Sequence, residues 1–378
     1  MSFLKVVLKR IFPIPLLKRV FLIYNTFKIK TIDKLIFKEL EIPYKDFKIY
    51  RKGYPFRTEV ISLDDLEGRE EYSYLSEWLD WSQEEFLILF SKPCTIEPDG
   101  GWALVGKNTL VYESLSLSRT MHLRKPSLRR YWFKKSPQHL DEAISLRDTG
   151  EENYFHFYND VLSKIFFLKE NGINIQKVPL IISKKLWDKA YFQYYLNASP
   201  LFPTLSWIVQ DRQYITCRRT IFCKPLTHRK DLLDIIFFPL RKNIVGEKKI
   251  FLTRNKVRLR YLENASQIEE ICSNRGFEVI DTDQMTMPQQ IDIFSKASLI
   301  IGIHGAGLTN MMFSCGQCKI LELFPPPDAG YLPFHYVMMA KMQGFRYRAI
   351  IGDKPQHRYS GGFRIDIKKF EEALSDLL

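Results

Sequence analysis

One stretch of the sequence combines the residue types that hold phosphate groups. An apolar strand predicted at 299–303 runs into His304, Gly305, Ala306 and Gly307, and a helix is expected to begin at Leu308, Thr309 and Asn310. The first N–H groups of a helix lack partners within it and attract anions. Glycines allow close backbone approach, and a histidine adds a donor. The pattern predicts a phosphate-binding loop; the alternative is a tight turn whose glycines serve only steric needs.

Two arginines and a glutamate accompany neighbouring predicted strands. Arg254 ends a short apolar strand, and an arginine at the carboxyl edge of a parallel sheet can neutralise a departing diphosphate. Arg260 follows in the same loop, where a solvated arginine is the simpler interpretation. Glu322 lies within an otherwise apolar strand, where an unpaired carboxylate would be costly. It is expected to accept hydrogen bonds from ribose hydroxyls or from backbone amides.

A second reactive pair opens a predicted helix with the sequence NYFHFYND at 153–160. His156 and Asp160 are four residues apart and therefore share one helix face. An imidazole and a carboxylate presented together suit general-base chemistry on a hydroxyl group. The alternative is a hydrogen bond that only braces the helix, and the residues alone favour it.

Other motifs are incomplete. Residues 101–108 carry Asn108 where a P-loop needs serine or threonine, and their flanks are typical of a hairpin. The HGAG segment has no GxSxG nucleophile motif to accompany it. Cys315 and Cys318 form a lone CxxC without a second ligand pair, so no metal site is expected. The scattered cysteines favour reduced thiols in a cytosol.

Alternating strands and helices must position these side chains. From residue 249 onward this alternation predicts a parallel sheet covered by helices on both faces. The predicted strands are 250–253, 277–280, 299–303, 320–323 and 347–350, and the predicted helices are 265–275, 288–296, one from 308, 334–343 and 366–378. A similar block begins at 143, after a hairpin near 103–113. Two such blocks, joined near 243–248, predict two doubly wound domains with a cleft between them.

Composition excludes several classes of protein. The chain has 378 residues, 46% of them hydrophobic and 26% charged, as in ordinary globular proteins. No apolar run approaches the about 18 residues that a membrane-spanning helix needs. The net charge is +13, and residues 1–30 hold seven basic and no acidic residues among apolar ones. This segment predicts contact with an anionic membrane surface, or packing on the protein's own surface. A nucleic-acid binder is disfavoured because no matching signature appears.

Five segments, in order, resemble glycosyltransferase family 61. This family includes plant xylosyl- and arabinosyltransferases, animal O-GlcNAc-type transferases and bacterial capsular polysaccharide enzymes. The segments are NYFHFYND at 153–160, LTR at 252–254 with Arg260 and Asn264, MTMPQQIDIFSKA at 285–297, GIHGAGLTNMMF at 302–313 and ILELFP at 320–325. The resemblance covers roughly residues 153–353.

The resemblance implies an α/β protein of GT-B architecture, with two Rossmann-like domains facing a central cleft. The expected parts are a basic amphipathic segment at 1–45, an acceptor-binding domain at 46–245 and a nucleotide-sugar-binding domain at 246–378. Donor binding would fall to Arg254, Arg260, the loop from His304 to Asn310 and Glu322. Asp160 or His156 would take the proton of the acceptor hydroxyl, with Asp160 favoured as the base.

The same resemblance implies an inverting reaction without a metal or other cofactor, from a UDP-linked or other nucleotide sugar. Animal and plant members carry a luminal anchor and disulfides, neither of which is evident here. We therefore expect a bacterial cytoplasmic enzyme, peripheral at the inner membrane face, acting on a glycan or lipid-linked glycan in surface polysaccharide synthesis. The alternative is a catalytically inactive GT-B subunit that binds nucleotide within a polysaccharide assembly complex.

Overall fold

A computed structural model describes residues 36–55, 62–80, 82–115, 125–134, 136–242, 244–254, 260–327, 332–355 and 361–378. These residues form a mixed α/β protein, which confirms the α/β part of the predicted fold class, while the GT-B architecture stays a prediction. They divide into two compact units. The amino-terminal unit takes its described residues from Phe21–Gly53 and Gln83–Ile236, and the carboxy-terminal unit takes its own from Tyr54–Ser82 and Phe237–Leu378.

The observed division differs from the predicted boundaries at 45 and 245. Tyr54–Ser82 counts with the carboxy-terminal unit, because contacts distant in sequence hold it there. Trp78 donates from Nε1 to the Leu332 carbonyl at 2.7 Å, and the buried Glu71 accepts from Arg348 at 3.1 Å. The binding roles assigned to the two domains stay predictions, and most of the predicted 1–45 segment lies outside the described residues.

The amino-terminal sheet is mixed. Its strands are β1 (Lys38–Glu39), β2 (Phe47–Pro55), β3 (Ser82–Phe90), β4 (Cys94–Ile96), β5 (Ala103–Val105), β6 (Thr109–Val111), β7 (Gln138–Ser145), β8 (Leu180–Ser183), β9 (Trp207–Gln210) and β10 (Ile215–Lys224). In the described residues the order is β1-β6-β5-β4-β10-β7-β8-β9, with β3 also on β10 and β2 on β3. Only β10, β7, β8 and β9 form a continuous parallel set, and β3 and β4 pair antiparallel with β10. The parallel set comprises the strands of the block predicted from residue 143, and the antiparallel strands β3 and β4 precede that block.

The carboxy-terminal sheet follows the predicted pattern closely. Its strands are β11 (Lys248–Leu252), β12 (Phe277–Ile280), β13 (Ala297–Ile303), β14 (Lys319–Phe324) and β15 (Arg346–Ile351). All pair in parallel in the order β12-β11-β13-β14-β15. A strand that is buried on both faces has a continuous run of apolar residues. The positions of these strands could therefore be predicted from the sequence. Ile301 and Leu321 pack with Phe370 and Leu374 in one core cluster.

The helices lie between these strands. They are α1 (Glu70–Leu75), α2 (Leu128–Trp132), α3 (Tyr154–His156), α4 (Ser163–Glu170), α5 (Lys184–Trp187), α6 (Ala190–Ala198), α7 (Lys230–Phe237), α8 (Ala265–Asn274), α9 (Met287–Ser295), α10 (His335–Met342) and α11 (Ile367–Leu377). Short 3-10 helices occupy Tyr44–Asp46, Asp64–Leu66, Ser76–Asp80, Tyr112–Ser114, Phe202–Thr204, Phe238–Leu240, Thr282–Gln284 and Ala306–Phe313. The helix predicted from Leu308 is therefore a 3-10 helix that begins two residues earlier.

A π-helical segment, Phe157–Leu162, joins α3 to α4. A π-turn inserts one residue into the helical repeat. Phe157 and Val161 of this segment are fully buried, as are Tyr158 and Leu162. None of the described helices is both long enough and apolar enough to cross a bilayer.

Candidate functional site

The strand register brings the predicted donor-binding residues to one sheet edge. Leu252 pairs with Gly302, which pairs with Glu322. Arg254 and His304 each lie two residues beyond their members of that row, so both leave the sheet at its carboxyl edge. Ligands of open parallel sheets bind at this edge. Arg254 donates from Nη1 to the His304 carbonyl at 3.4 Å, and this bond joins the two loops.

Glu322 is held by two side chains. His304 Nδ1 lies 2.5 Å from Glu322 Oε1, and the Tyr347 hydroxyl donates to Oε2 at 2.7 Å. The carboxyl group is fully buried and the His304 side chain nearly so. Because a carboxylate accepts hydrogen bonds, Nδ1 is the donor and Nε2 is left as the ring nitrogen for a ligand. Sequence analysis predicted ribose hydroxyls or backbone amides as partners of Glu322, and its contact with ribose stays a prediction.

Aromatic rings fix the plane of the His304 imidazole. Phe324 stacks on it at 5.0 Å between ring centres with a 20° interplanar angle, and Tyr336 meets it edge-on at 5.3 Å. Together with the bond to Glu322, these contacts hold the imidazole in one orientation. A donor fixed before a ligand arrives loses little conformational entropy on binding. The arrangement suits recognition of an oxygen at a defined position.

We expect Tyr347→Phe to lower the free energy of unfolding by about 1–3 kcal/mol, because it removes one of two donors from a buried carboxylate. Urea denaturation measures this change. Tyr50→Phe is the control, since the Tyr50 side chain is 47% exposed and its loss of a hydroxyl should have little effect. Equal stability of Tyr347→Phe and wild type would show that Glu322 does not depend on this bond.

Gly305 makes room for Arg254. A Cβ atom built on Gly305 would lie 2.5 Å from Arg254 Nη1, too close for both to keep their positions. The φ angle of Gly305 is 165°, extended backbone open to any residue, so the glycine is required here by space. Gly307 differs, since its Cβ would lie 3.4 Å from Thr282 Oγ1, an ordinary contact.

We expect Gly305→Ala to weaken nucleoside diphosphate binding about tenfold or more, because the methyl group displaces the Arg254 guanidinium. The fold should survive, since the displaced atom is the end of a flexible side chain. Gly307→Ala is the matched control: it keeps the backbone N–H of residue 307, its added methyl group would contact Thr282, and it should bind within about twofold of wild type. Titration calorimetry measures both variants. Equal affinities for the two would contradict the assignment of Arg254 to the anion.

Arg260 is near the same residues. Its φ angle is +65°, in the left-handed region that residues other than glycine seldom adopt. Burial lowers the pKa of Arg260, while the nearby Tyr336 and Glu322 act in the opposite direction. Burial, followed by Glu322, raises the pKa of Tyr336, and Arg260 and Arg254 oppose this rise. Both arginines thus lie within electrostatic reach of the His304 and Glu322 pair.

The loop from His304 to Asn310 is fixed from beneath. Asn310 is fully buried and donates to Gln290 at 2.9 Å, and Gln290 in turn donates to the carbonyls of Thr282 and Met285. Leu308 and Thr309 are fully buried as well. These three residues therefore support the loop, while Ala306 and Gly307 remain partly exposed at the start of the 3-10 helix. Their N–H groups are the backbone donors that an anion could reach.

The amino-terminal unit places His156 and Asp160 in direct contact. His156 Nδ1 lies 2.8 Å from Asp160 Oδ2, and their side chains are 23% and 11% exposed. Asn159 donates to the other carboxylate oxygen of Asp160 at 2.7 Å. The π-helical segment aligns Asn159 and Asp160 for these contacts, and such segments are frequent at functional sites. The predicted shared face is confirmed, whereas the role of the pair as a base stays a prediction.

Sequence analysis missed the residues behind this pair. Asn159 also donates to the Thr227 hydroxyl at 2.8 Å and accepts from the His228 backbone N–H at 3.0 Å. His228 is buried and has a φ angle of +58°, and its Nδ1 lies 2.9 Å from Thr227 Oγ1. Thr227 and His228 lie nearly seventy positions along the chain from Asn159. In the sequence, Thr227 and His228 are only two polar residues between a strand and a helix. Their spacing does not indicate a contact with Asn159.

The remaining sequence motifs show no reactive arrangement. Residues 103–111 form the predicted hairpin β5–β6. Burial raises the pKa of Cys318 to about 12, and the six cysteines are unpaired by disulfides. Over the described ranges, no cluster of three or more His, Cys, Asp or Glu is arranged to hold a metal ion. The predicted absence of a metal requirement is untested by this observation.

Comparison with protein families matches the segment that contains most of the candidate site residues. Residues 154–321 match the model of the family described as Glycosyltransferase 61. This match confirms the resemblance predicted from the sequence over somewhat less than half of the chain. This region contains His156, Asp160, Arg254, Arg260 and His304, and it ends one residue before Glu322.

Curated relatives come from an insect and from rice. The chain is 24% identical to the EGF domain-specific O-linked N-acetylglucosamine transferase of Drosophila melanogaster, over 31% of this chain and 26% of the relative. It is 22% identical to alpha-1,3-arabinosyltransferase XAT3 of Oryza sativa subsp. japonica, over 52% of this chain and 38% of the relative. The match with the rice beta-1,2-xylosyltransferase RCN11 is 32% identical over 18% of this chain and 12% of the relative. The matches thus span well under half the length of each relative.

Proposed function

We propose that this chain is an inverting glycosyltransferase that moves a sugar from a nucleotide-sugar donor, UDP-linked in the first instance, to a hydroxyl group of a glycan or lipid-linked glycan. The observation that carries the proposal is the position of Arg254 beside a buried, oriented His304 at the carboxyl edge of a parallel sheet, with Arg260 close enough to influence the pKa of the neighbouring Tyr336. The family match and the transferase names of the relatives support the same reaction class. The GT-B arrangement expected from the resemblance belongs to this proposal.

The donor site would stabilise the leaving group. In a direct displacement, the bond between sugar C1 and the diphosphate oxygen breaks, and its electron pair stays on the diphosphate. Arg254 and Arg260 supply positive charge to that oxygen cluster, and His304 Nε2 and the N–H groups of Ala306 and Gly307 supply donors. This set provides what a metal ion provides in other transferases, and a metal-independent reaction is therefore proposed.

The acceptor site would remove a proton. As the acceptor oxygen attacks C1 from the opposite face, its proton passes to Asp160, whose Oδ1 and Oδ2 are oriented by Asn159 and His156. Attack on the face opposite the leaving group inverts the anomeric centre. In this scheme His156 orients Asp160. In the reverse assignment His156 takes the proton and Asp160 orients it, and substitutions of the two residues distinguish these assignments.

The biological setting is also a proposal. We place the enzyme in bacterial surface polysaccharide synthesis, at the cytoplasmic face of the membrane. The basic and apolar sequence of residues 1–30 supports this placement, although that segment lies outside the described residues. A lipid-linked acceptor would be presented at the same surface.

Turnover tests the proposed function. Purified protein is incubated with a panel of nucleotide sugars in EDTA, and release of the nucleoside diphosphate is followed with and without glycan acceptors. We expect release from one donor, with NMR showing the inverted anomer in the product. Nucleotide binding without release or transfer for any donor and acceptor would instead favour the inactive, nucleotide-binding subunit.

A further inference from the structure

Helix α2 presents two large aromatic side chains to solvent. Trp132 is 56% exposed and Phe133, directly after the helix, is 77% exposed. The opposite face of α2 is buried, with Tyr131 and Leu128 packed in the cluster that contains Trp102 and Tyr214. The core thus uses the inner face of α2 and leaves Trp132 and Phe133 outside. Adjacent exposed aromatics of this size mark interaction surfaces more often than isolated ones do.

The platform beneath these aromatics is rigid. Tyr131 donates from its hydroxyl to the Gly106 carbonyl at 2.7 Å, and Trp132 donates from Nε1 to the Lys107 carbonyl at 2.7 Å. Ser127 caps the first turn of α2 by accepting from the Arg130 N–H. The hairpin β5–β6 therefore anchors the carboxyl end of the short helix, and Ser127 caps its amino end. Its outward side chains are held on a stable surface of the amino-terminal unit.

The surroundings of Phe133 are basic. Arg129, Arg130, Lys134 and Arg212 line a groove of about 660 Å³ together with Phe133 and Tyr214. The exposed Asp99 pairs with Arg130 and offsets one of these four charges. In sequence, residues 124–135 hold six basic residues and no acidic residue. The surface thus combines a net positive charge with exposed aromatic rings.

We infer that this surface, composed of Arg129, Arg130, Trp132, Phe133, Lys134 and Arg212 and called here the α2 surface, docks on an anionic lipid bilayer. Aromatic rings settle at the level of the lipid headgroups, and each nearby lysine or arginine is attracted to anionic lipids. A soluble polyanion would use the cations but would leave Phe133 in water. The inference is independent of the donor site, because it concerns only the contact of the amino-terminal unit with the bilayer.

Vesicle sedimentation of the full chain tests this inference. Vesicles of phosphatidylcholine alone are compared with vesicles in which about a third of the lipid is phosphatidylserine. We expect binding to the anionic vesicles, and both Phe133→Ser and the pair Arg129→Glu with Arg212→Glu should weaken it about tenfold or more. The matched control is Lys177→Glu with Lys185→Glu, which reverses two exposed charges elsewhere on the same unit and should bind within about twofold of wild type.

A second substitution at Phe133 and a measurement of folding complete the test. Phe133→Trp keeps an aromatic ring at this position and should bind anionic vesicles as tightly as wild type. If the ring does not contact the bilayer, Phe133→Trp and Phe133→Ser should bind the vesicles equally well. Thermal melts by circular dichroism identify any variant that has lost its fold. Unchanged vesicle binding in folded Phe133→Ser and in the arginine pair would overturn the inference. Loss of affinity for soluble heparin in these variants, with unchanged affinity for vesicles, would also overturn the inference.

Discussion

Arg254→Ala should lower the rate of sugar transfer about 10²–10³-fold, the range found when one donor to a developing anion is removed. Arg254 follows β11 at the carboxyl edge of the sheet, and its guanidinium occupies the space that Gly305 leaves open. Its Nη1 donates to the His304 carbonyl at 3.4 Å, a long and weak hydrogen bond. The loss should appear in catalysis and nucleotide affinity, and thermal melts should show nearly unchanged stability.

Two variants sharpen this prediction. Arg254→Lys keeps the charge but loses the planar fork that matches a diphosphate, and it should fall between wild type and alanine. Arg275→Ala removes another arginine of the same unit, one that pairs with Glu371 on the surface, and it should retain full activity. Release of nucleoside diphosphate measures all three. Full activity in Arg254→Ala would contradict the assignment of Arg254 to the leaving group.

Asp160→Asn should lower the maximal rate of transfer about 10³-fold while changing the affinity for the donor little. Asparagine keeps the size of the side chain and can still contact His156 and Asn159, but it cannot take a proton at neutral pH. Asp188→Asn is the control, since Asp188 is an exposed partner of Lys184 in the same unit. Steady-state kinetics with saturating donor measures the effect.

His156→Gln separates the two assignments of the base. If His156 orients Asp160, this variant should lose about tenfold or less, because Asn159 still holds the carboxylate from its other oxygen. If His156 is the base, His156→Gln should show the larger loss and Asp160→Asn the smaller. Asp160→Asn at the wild-type rate would exclude Asp160 as the base.

The carboxy-terminal sheet could be predicted because its information is local. Each strand is a short apolar run, each is followed by a helix, and parallel pairing places their ends at one edge. The location of Arg254, His304 and Glu322 near this edge could therefore be predicted, while their roles stay predictions. The partner of Glu322 could not be, because Tyr347 belongs to the next strand and only the pairing of β14 with β15 brings the two residues together.

Local reasoning also failed where distant segments decide the packing. Nothing in the sequence of residues 62–80 indicates that Glu71 is buried against Arg348 or that Trp78 bonds to Leu332. The mixed pairing of β10 with β3, β4 and β7 is a similar case, since it joins segments more than seventy residues apart. The π-helical segment at Phe157–Leu162 follows from packing and side-chain bonds that the 3.6-residue period does not contain.

The central claim is that the carboxy-terminal unit binds a nucleotide through Arg254 without a metal. A thermal-shift panel with UDP, GDP, CMP, ADP and NAD, run in EDTA on wild type and Arg254→Ala, tests it most directly. A ligand that binds only the folded state raises the melting temperature with its concentration. We predict that one nucleotide stabilises wild type and that Arg254→Ala loses this stabilisation. No shift with any nucleotide, or an equal shift in the variant, would contradict the claim.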